Sequence, residues 1–522
     1  MTASPTIDPT DLRPGALGAG ALDAGAFRGR PVSVLGFARS GIALARFLHD
    51  AGAAVTVYDG RPAAELARAI EALEGRQVRL LLGPQVEPSS ALDGAALIAS
   101  SPSVNADYPT TEPRLRAALR SVIDRRFGGD ATAPAVISEV DLFLRLCPAP
   151  TIGITGTKGK TTTSALTHAL LATDGAHPAV LGGNIGKPLV ERLPELTPEH
   201  RVVIELSELQ LPTLSRGTMV AAYTNVTADH LDRHGSLEAY RAVKRRLGEL
   251  VEPDGAIVLN DDDPVVAAYA FDGPARVVRY RRRELPPGGV GLAHGWIVAD
   301  AIEPVKAARS SGATPFAGGR ILPTDELAIP GEHNVSNALA AVAIALLFGI
   351  SPDAIRRAAG TFTGVEHRLE RVAELGGVRF INDSQGTQPD AVIAALRAFD
   401  GPIVLIAGGR DKGVDLTELA RVVAERAHAA VLIGESAPML ERLFRAAGLE
   451  TTVRSSTLDA AVAAAEQLAR EAAESAAAGA AGPAAGIVLL SPAATSFDMF
   501  EDYEARGRAF KAAVHRLVEE RS

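Results

Sequence analysis

The run Thr155-Gly156-Thr157-Lys158-Gly159-Lys160-Thr161-Thr162 gathers in one short stretch the groups that bind a polyphosphate. Glycines let the backbone curl until its N–H groups converge on phosphate oxygens, and a helix starting there adds positive potential. In such a loop Lys160 reaches the outer phosphates and the Thr161 hydroxyl ligates Mg²⁺. Gly156, Thr157, Lys158, Gly159 and Thr162 complete the ATP-binding set. Ile154 stands where the strict pattern has its first glycine. The apolar strand Thr151-Ile152-Gly153-Ile154 before the loop, and the helical run from Ser164 to Ala172 after it, supply the context that a chance turn lacks.

A second group of chemistry-bearing residues follows. Glu205 ends the apolar run Val202-Val203-Ile204, and a carboxylate at a strand end suits a hard cation. An acid there also serves structure alone. His230 lies in Thr224-Asn225-Val226-Thr227-Ala228-Asp229-His230, as a metal ligand or a hydrogen-bonding ring, and Lys244 shares a helical run with Tyr240. Taken singly, Lys244 reads as a solvated helix lysine. Asn334 and Asn337 stand three apart on one helix face, where Asn334 also suits a helix cap.

These groups need a scaffold. Pro31 to Leu35 reads as a strand stopped by Gly36, followed by a helix from Gly41 to about Ala51 and a second strand, Ala54 to Tyr58. This βαβ opening is of a nucleotide-binding type. Strand, glycine turn and helix recur at Thr151, at Val378-Arg379-Phe380-Ile381 and at Ile403-Val404-Leu405-Ile406, which implies parallel sheets covered by helices. Boundaries are expected near residues 130 and 360, giving a flexible tail over 1–28 and domains over 29–130, 131–360 and 361–522. The stretch 276–325 reads as a loop-rich extension, and 471–486 as helix followed by a mobile loop.

The bulk composition agrees with a multidomain enzyme. A chain of 522 residues exceeds one ordinary core. With 47% hydrophobic and 22% charged residues and a single tryptophan, Trp296, its cores are built from Ala, Val, Leu and Ile. A net charge of −9 argues against a nucleic-acid coat. Cys147 is the sole cysteine, so no internal disulfide forms. No basic-then-apolar leader and no long apolar run appear, so a cytoplasmic protein without membrane insertion is expected.

In order and spacing, Thr155 to Thr162, Gly182-Gly183-Asn184-Ile185-Gly186, Glu205-Leu206-Ser207, Asn225 to Lys244, and Gly331 to Asn337 resemble the ATP-dependent Mur ligase superfamily. The resemblance implies an α/β fold of three domains, each with a mostly parallel sheet. These are a Rossmann-like N-terminal domain, a P-loop ATPase centre and a Rossmann-like C-terminal domain. It implies that Lys244 is carbamylated by CO₂ and helps place Mg²⁺ with Thr161, Glu205 and His230. It also implies that Lys160, Lys244, His230 and Arg368 serve catalysis, and that Asn334, Asn337, Arg368 and Asp383 join the ATP-binding residues.

Gly408-Gly409-Arg410-Asp411-Lys412 and Leu490 to Asp498 are most similar to the branch that adds D-glutamate, and the Asp-Asn-Pro-Arg motif of the diaminopimelate-adding branch is missing. By that likeness Thr387, Lys412, Ser496, Phe497 and Tyr503 hold glutamate, and Arg39, Ser40, Asp59, Gly60, Arg61, Asn184, Ser207 and Gln210 hold a UDP-sugar. The implied reaction joins D-glutamate to UDP-N-acetylmuramoyl-L-alanine through an acyl phosphate, in peptidoglycan synthesis, with ATP and Mg²⁺ and with the enzyme acting as a monomer. Gln385 stands where that branch has a lysine, Glu208-Leu209 where it has Ser-Phe, and Ser103 where it has glycine. The alternatives are a related ligase adding L-glutamate and a P-loop ATPase without ligase activity.

Overall fold

Short β-branched runs separated by glycine turns build the first sheet of the computed structural model, which describes residues 25–130, 132–227, 234–329, 331–411, 413–479 and 485–521, the side chains of 477–479 excepted. Its order is Arg79–Leu82, Ala54–Asp59, Pro31–Leu35, Leu97–Ser100, Ala135–Ser138, with every pairing parallel. The last strand lies beyond the boundary expected near residue 130, so the sheet runs further along the chain. The helix Arg39–Asp50 lays Leu44, Phe47 and Leu48 on the sheet. It can do so because Gly41 has no Cβ, which would sit 1.7 Å from the Gly36 carbonyl oxygen. Order also starts earlier than the expected tail allows: Phe27 is fully buried, its ring edge-on to Phe47 at 6.5 Å. The rest of that tail, residues 1–24, lies outside the described residues.

The central sheet has nine strands in the order Gly319–Pro323, Trp296–Ala299, Val290–Ala293, Arg276–Tyr280, Ala256–Asn260, Val220–Tyr223, Thr151–Thr155, Arg201–Glu205, Ala179–Gly183. The stretch 276–325, expected as loop, contributes four of these strands. The hairpin joining Val290–Ala293 to Trp296–Ala299 turns on His294 and Gly295, both at positive φ (50° and 75°). A two-residue hairpin loop needs that geometry, and His-Gly signals it less visibly than Asn-Gly does. The helix Glu332–Leu347 is buried continuously from Asn337 to Leu347 and packs on the helix Lys160–Leu171.

First and central sheets share one hydrophobic core. Val32 and Phe47 belong to the same buried cluster as Leu142 and Leu144 of the helix Glu139–Leu146, Val190, Val202 and Ile257. Accordingly the chain up to Phe362 is one compact unit, and a second begins at Thr363.

The second unit has six strands in the order Glu370–Leu375, Val378–Asn382, Gly486–Leu490, Ile403–Gly408, Ala427–Ile433, Thr451–Arg454. Only the first pairing is antiparallel, through a turn at Gly376-Gly377. Apolar clusters cover both faces. Residues 471–479 belong to the helix Leu458–Gly479, and the loop expected after it falls on 480–484, outside the described residues. Among the described residues no helix is long and apolar enough to cross a membrane.

Candidate functional site

Three adjacent central strands, Thr151–Thr155, Arg201–Glu205 and Ala179–Gly183, end at the same edge with Ile154 and Gly183 both in register with Glu205. The phosphate loop leaves the first of them. Gly156 (φ +152°) and Gly159 (φ +84°) hold conformations L side chains avoid, and their missing Cβ atoms make room. A Cβ would lie 1.9 Å from Thr224 Oγ1 at Gly156 and 2.5 Å from Asn337 Oδ1 at Gly159. The loop is braced from the next strand end. Thr157 N–H donates to the Asn225 carbonyl at 2.8 Å, and Lys158 N–H to Asn225 Oδ1 at 2.9 Å. Thr224 Oγ1 and Asn225 Nδ2 both donate to the Lys158 carbonyl.

The helix Lys160–Leu171 opens on the loop lysine, four residues before the expected start, so the loop backbone meets a helix N-terminus directly. Lys160 Nζ donates to the carbonyls of Gly156 (3.0 Å) and Thr157 (2.9 Å). Thr161 is buried in the first helical turn and Thr162 half-buried beside it. Asn337 accepts from Thr163 Oγ1 and donates to Asn334 Oδ1 at 3.1 Å, so both asparagines stand against this turn.

Lys244 is fully buried, not a solvated helix lysine. Its Nζ donates to the Gly156 carbonyl at 3.1 Å and to Thr155 Oγ1 at 3.3 Å, and lies 5.4 Å over the Tyr240 ring. The helix Leu237–Glu249 delivers both side chains, and the Tyr240 hydroxyl meets Thr157 Oγ1 at 3.0 Å. Sequence reading assigned Tyr240 no role, because its partner is distant in the chain.

Glu205 is buried, with Oε1 accepting from Asn184 Nδ2 at 3.0 Å. Among the described residues, its Oε2 is buried without a hydrogen-bond partner. A buried carboxylate oxygen left bare is costly unless a cation completes it, and an oxygen donor beside a phosphate loop fits Mg²⁺. The residues present therefore suit the metal. His230 lies outside the described residues. Among those described, no group of three or more His, Cys, Asp or Glu side chains clusters for a metal.

At the first sheet's carboxyl edge, Asp59 receives the Phe37 N–H at 2.8 Å and the Arg61 N–H, Nε and Nη2 at 3.0, 3.0 and 2.8 Å. Burial alone would raise its carboxyl. The Arg61 side chain and the two backbone N–H groups outweigh burial and hold it below its ordinary range. Asp59, Gly60 and Gly36 line a cavity of about 360 Å³ with Ser103 and Leu209, two positions that depart from the branch pattern. Arg39 opens its helix exposed, with Ser40 half-buried beside it. Ser207 gives its N–H and hydroxyl to Gln210 Oε1, both residues being buried. A larger cavity, about 710 Å³, lies between the helix Pro113–Phe127 and Pro212 to Ser215, and none of the predicted site residues lines it.

In the second unit Arg368 stands between His367 (φ 63°) and Leu369 (φ 46°), two left-handed residues that are not glycine. Each costs about 1–2 kcal/mol. Asp383 is buried and accepts from Ser491 Oγ at 2.6 Å and Leu369 N–H at 3.2 Å. Burial nonetheless pushes its carboxyl up to about 6. Arg368, Asp383 and Gln385 line a small cavity of about 170 Å³. Thr387 N–H donates to the Gln385 carbonyl at 2.8 Å. Ser496 is buried, Phe497 is exposed, and the Tyr503 hydroxyl donates to Glu504. Lys412 lies outside the described residues.

Sequence reading missed Arg506. It is fully buried and donates to Ser384 Oγ (3.0 Å), the Ser384 carbonyl (2.9 Å) and the Ala494 carbonyl (3.2 Å). It thereby joins the segments bearing Thr387 and Ser496. Burial lowers its guanidinium to about 10, so it stays charged at neutral pH. In the helix Tyr503–Arg521 it reads like any surface arginine, and no sequence signal separates it.

Comparison with known proteins accords with this arrangement. Residues 154–345 match the Mur ligase middle domain, and residues 367–493 match the Mur ligase glutamate ligase domain. A relative from Pelotomaculum thermopropionicum named UDP-N-acetylmuramoylalanine–D-glutamate ligase is 38% identical, over 94% of this chain and 98% of its own. One of the same name from Symbiobacterium thermophilum is 39% identical, over 93% of this chain and 98% of its own. The solved UDP-N-acetylmuramate–alanine ligase MurC from Thermotoga maritima shares the fold at a TM-score of 0.50, with 17% identity over 94% of this chain and 99% of that one. The fold and the site define an α/β ligase built round a phosphate loop. The chain belongs to the Mur ligase family.

Proposed function

We propose that the chain joins D-glutamate to UDP-N-acetylmuramoyl-L-alanine at the expense of ATP, a step in peptidoglycan synthesis, and that it acts in the cytoplasm as a monomer. The observation that carries the reaction is likeness along 94% of the chain to a relative named for that ligase activity.

The chain's own residues divide the work. The backbone N–H groups of Gly159, Lys160 and Thr161, at the start of the helix Lys160–Leu171, bind the phosphates, and Lys160 swings from its loop carbonyls to neutralise the outer ones. The family likeness assigns Arg368 to ATP, as a cation for phosphate. The muramoyl-alanine carboxylate displaces ADP from the γ-phosphorus to give an acyl phosphate. The glutamate amine then attacks that carbonyl, phosphate leaves with the bonding pair, and the amine loses a proton. Thr161, Glu205 and His230 would hold Mg²⁺, which would supply positive charge against the phosphate oxygens.

Lys244 serves as a carbamate. Its neutral amine adds to CO₂ with loss of one proton, which turns a buried cation into an anion suited to a hard metal. Full burial against the phosphate-loop backbone supports this reading. Thr387, Lys412, Ser496, Phe497 and Tyr503 take glutamate. Asp59, Gly60, Arg61, Arg39, Ser40, Asn184, Ser207 and Gln210 take the UDP-sugar. Asn334, Asn337 and Asp383 complete the ATP site.

Phosphate release from ATP, measured with UDP-N-acetylmuramoyl-L-alanine and either enantiomer of glutamate, tests the function. Release that depends on D-glutamate is expected. Preference for L-glutamate, or release needing no glutamate, would replace the reading with one of its two rivals.

A further inference from the structure

Tyr58 is the last residue but one of the strand Ala54–Asp59, and it is 1% exposed, in one buried cluster with Leu35, Leu92, Ile98 and Leu115. Among the described residues its hydroxyl has no hydrogen-bond partner. A bare buried phenol is a cost that the fold alone does not explain. Burial, with the Glu112 charge behind it, raises the phenol above its ordinary range, so the proton stays on and the group donates at neutral pH.

Tyr58 lines the cavity of about 360 Å³ that Asp59 and Gly60 also line. The buried and charged groups around it are already engaged. Asp59 takes its donors from Phe37 and Arg61. Glu112 takes the Leu115 N–H at 2.7 Å and Arg114 Nε at 3.0 Å. Thr111 Oγ1 closes on the Asn105 backbone, accepting its N–H at 3.0 Å and donating to its carbonyl at 2.7 Å. Tyr58 thus keeps a buried side-chain donor for a guest.

The walls decide the guest's chemistry. Among the described residues no lysine or arginine lines the cavity, while the Asp59 and Glu112 carboxylates do, so phosphate is disfavoured in it. A diphosphate has Arg39 and Ser40 instead, at the start of the helix Arg39–Asp50 just beyond Gly36. Val104, Leu115 and Leu209 offer apolar surface that suits a flat ring, and a lone O–H donor suits a ring bearing carbonyl oxygens. We propose that Tyr58 is a specificity-determining residue of the UDP-sugar site, its hydroxyl donating to a carbonyl oxygen of the pyrimidine base. Tyr58 thereby joins the UDP-sugar set proposed above, on which its role rests.

Such a hydroxyl weakens the empty protein and strengthens the complex, so Tyr58→Phe has a signature that a structural hydroxyl lacks. Calorimetry on the full chain measures binding of UDP-N-acetylmuramoyl-L-alanine, of UDP, and of dideoxy-UDP, which lacks the ribose hydroxyls. Tyr58→Phe should bind all three about three- to tenfold more weakly, while the free variant melts at the same or a higher temperature. Unchanged affinities overturn the inference. So does a penalty confined to the sugar nucleotide, which gives the hydroxyl to the muramoyl part, or one that vanishes with dideoxy-UDP, which gives it to the ribose. A lowered melting temperature also overturns it, by making the hydroxyl a structural group. If the wild type binds none of the three, the proposed function falls as well.

Discussion

Lys160 and Lys244 donate to one acceptor, the carbonyl oxygen of Gly156, at 3.0 and 3.1 Å. Two ammonium groups around one oxygen repel each other; Lys160 is part-exposed and Lys244 fully buried. In the function proposed above, phosphate would draw Lys160 away, whereas a carbamate on Lys244 would reverse the sign of the buried partner. The pair would then have two different jobs.

The two lysines should separate by chemical rescue. Lys244→Ala should lose most of its activity, and a small added carboxylic acid should restore part of it. Lys160→Ala should lose about 10²–10³ in kcat, and no acid should help, because the missing group is a cation. Steady-state rates with and without acetate make the comparison. A fully active Lys244→Ala would rule out the carbamate.

Gly156 has neither the space nor the backbone conformation for a side chain. Gly156→Ala should cost about 1–3 kcal/mol in strain and raise the KM for ATP far more than that for glutamate. Gly175→Ala, where an added Cβ meets nothing within 4 Å, is the matched control and should behave as wild type. Equal behaviour of the two variants would show that the loop adapts.

Asp141 and Arg145 form a buried ion pair, 3% and 2% exposed. Asp141→Ala takes the carboxylate away from a buried guanidinium and should destabilise the first unit by about 3–5 kcal/mol. Replacing both, Asp141→Leu with Arg145→Met, should cost less than the single change. Denaturant unfolding decides, and an additive double variant would refute the coupling.

Asp383 sets a pH dependence of stability. Its folded carboxyl titrates at about 6, raised from 3.8. Between those values the folded chain keeps a proton that the unfolded chain has released, so stability is greatest on the acid side and declines as pH rises to 6. This one group accounts for a decline of about 3 kcal/mol at most. In Asp383→Asn the decline should vanish, and unfolding midpoints from pH 4 to pH 8 test it.

Local signals carried much of the architecture. Apolar strands stopped by glycine, and lysine at a strand-to-helix turn, are effects of neighbouring residues on one another. They therefore survive in the linear order, as Gly156 to Thr162 and the βαβ run from Pro31 do. The strands Val290–Ala293 and Trp296–Ala299 were hidden because His294-Gly295 is a weak turn signal and their worth comes from pairing. Asn225, Tyr240 and Arg506 were hidden for a related reason: each acts on a partner dozens of positions away. Burial decided the rest. Nothing in the order of residues distinguishes a lysine facing water from Lys244, or a strand-end tyrosine facing water from Tyr58. Only packing removes solvent from them, and with solvent gone their polar groups acquire consequences.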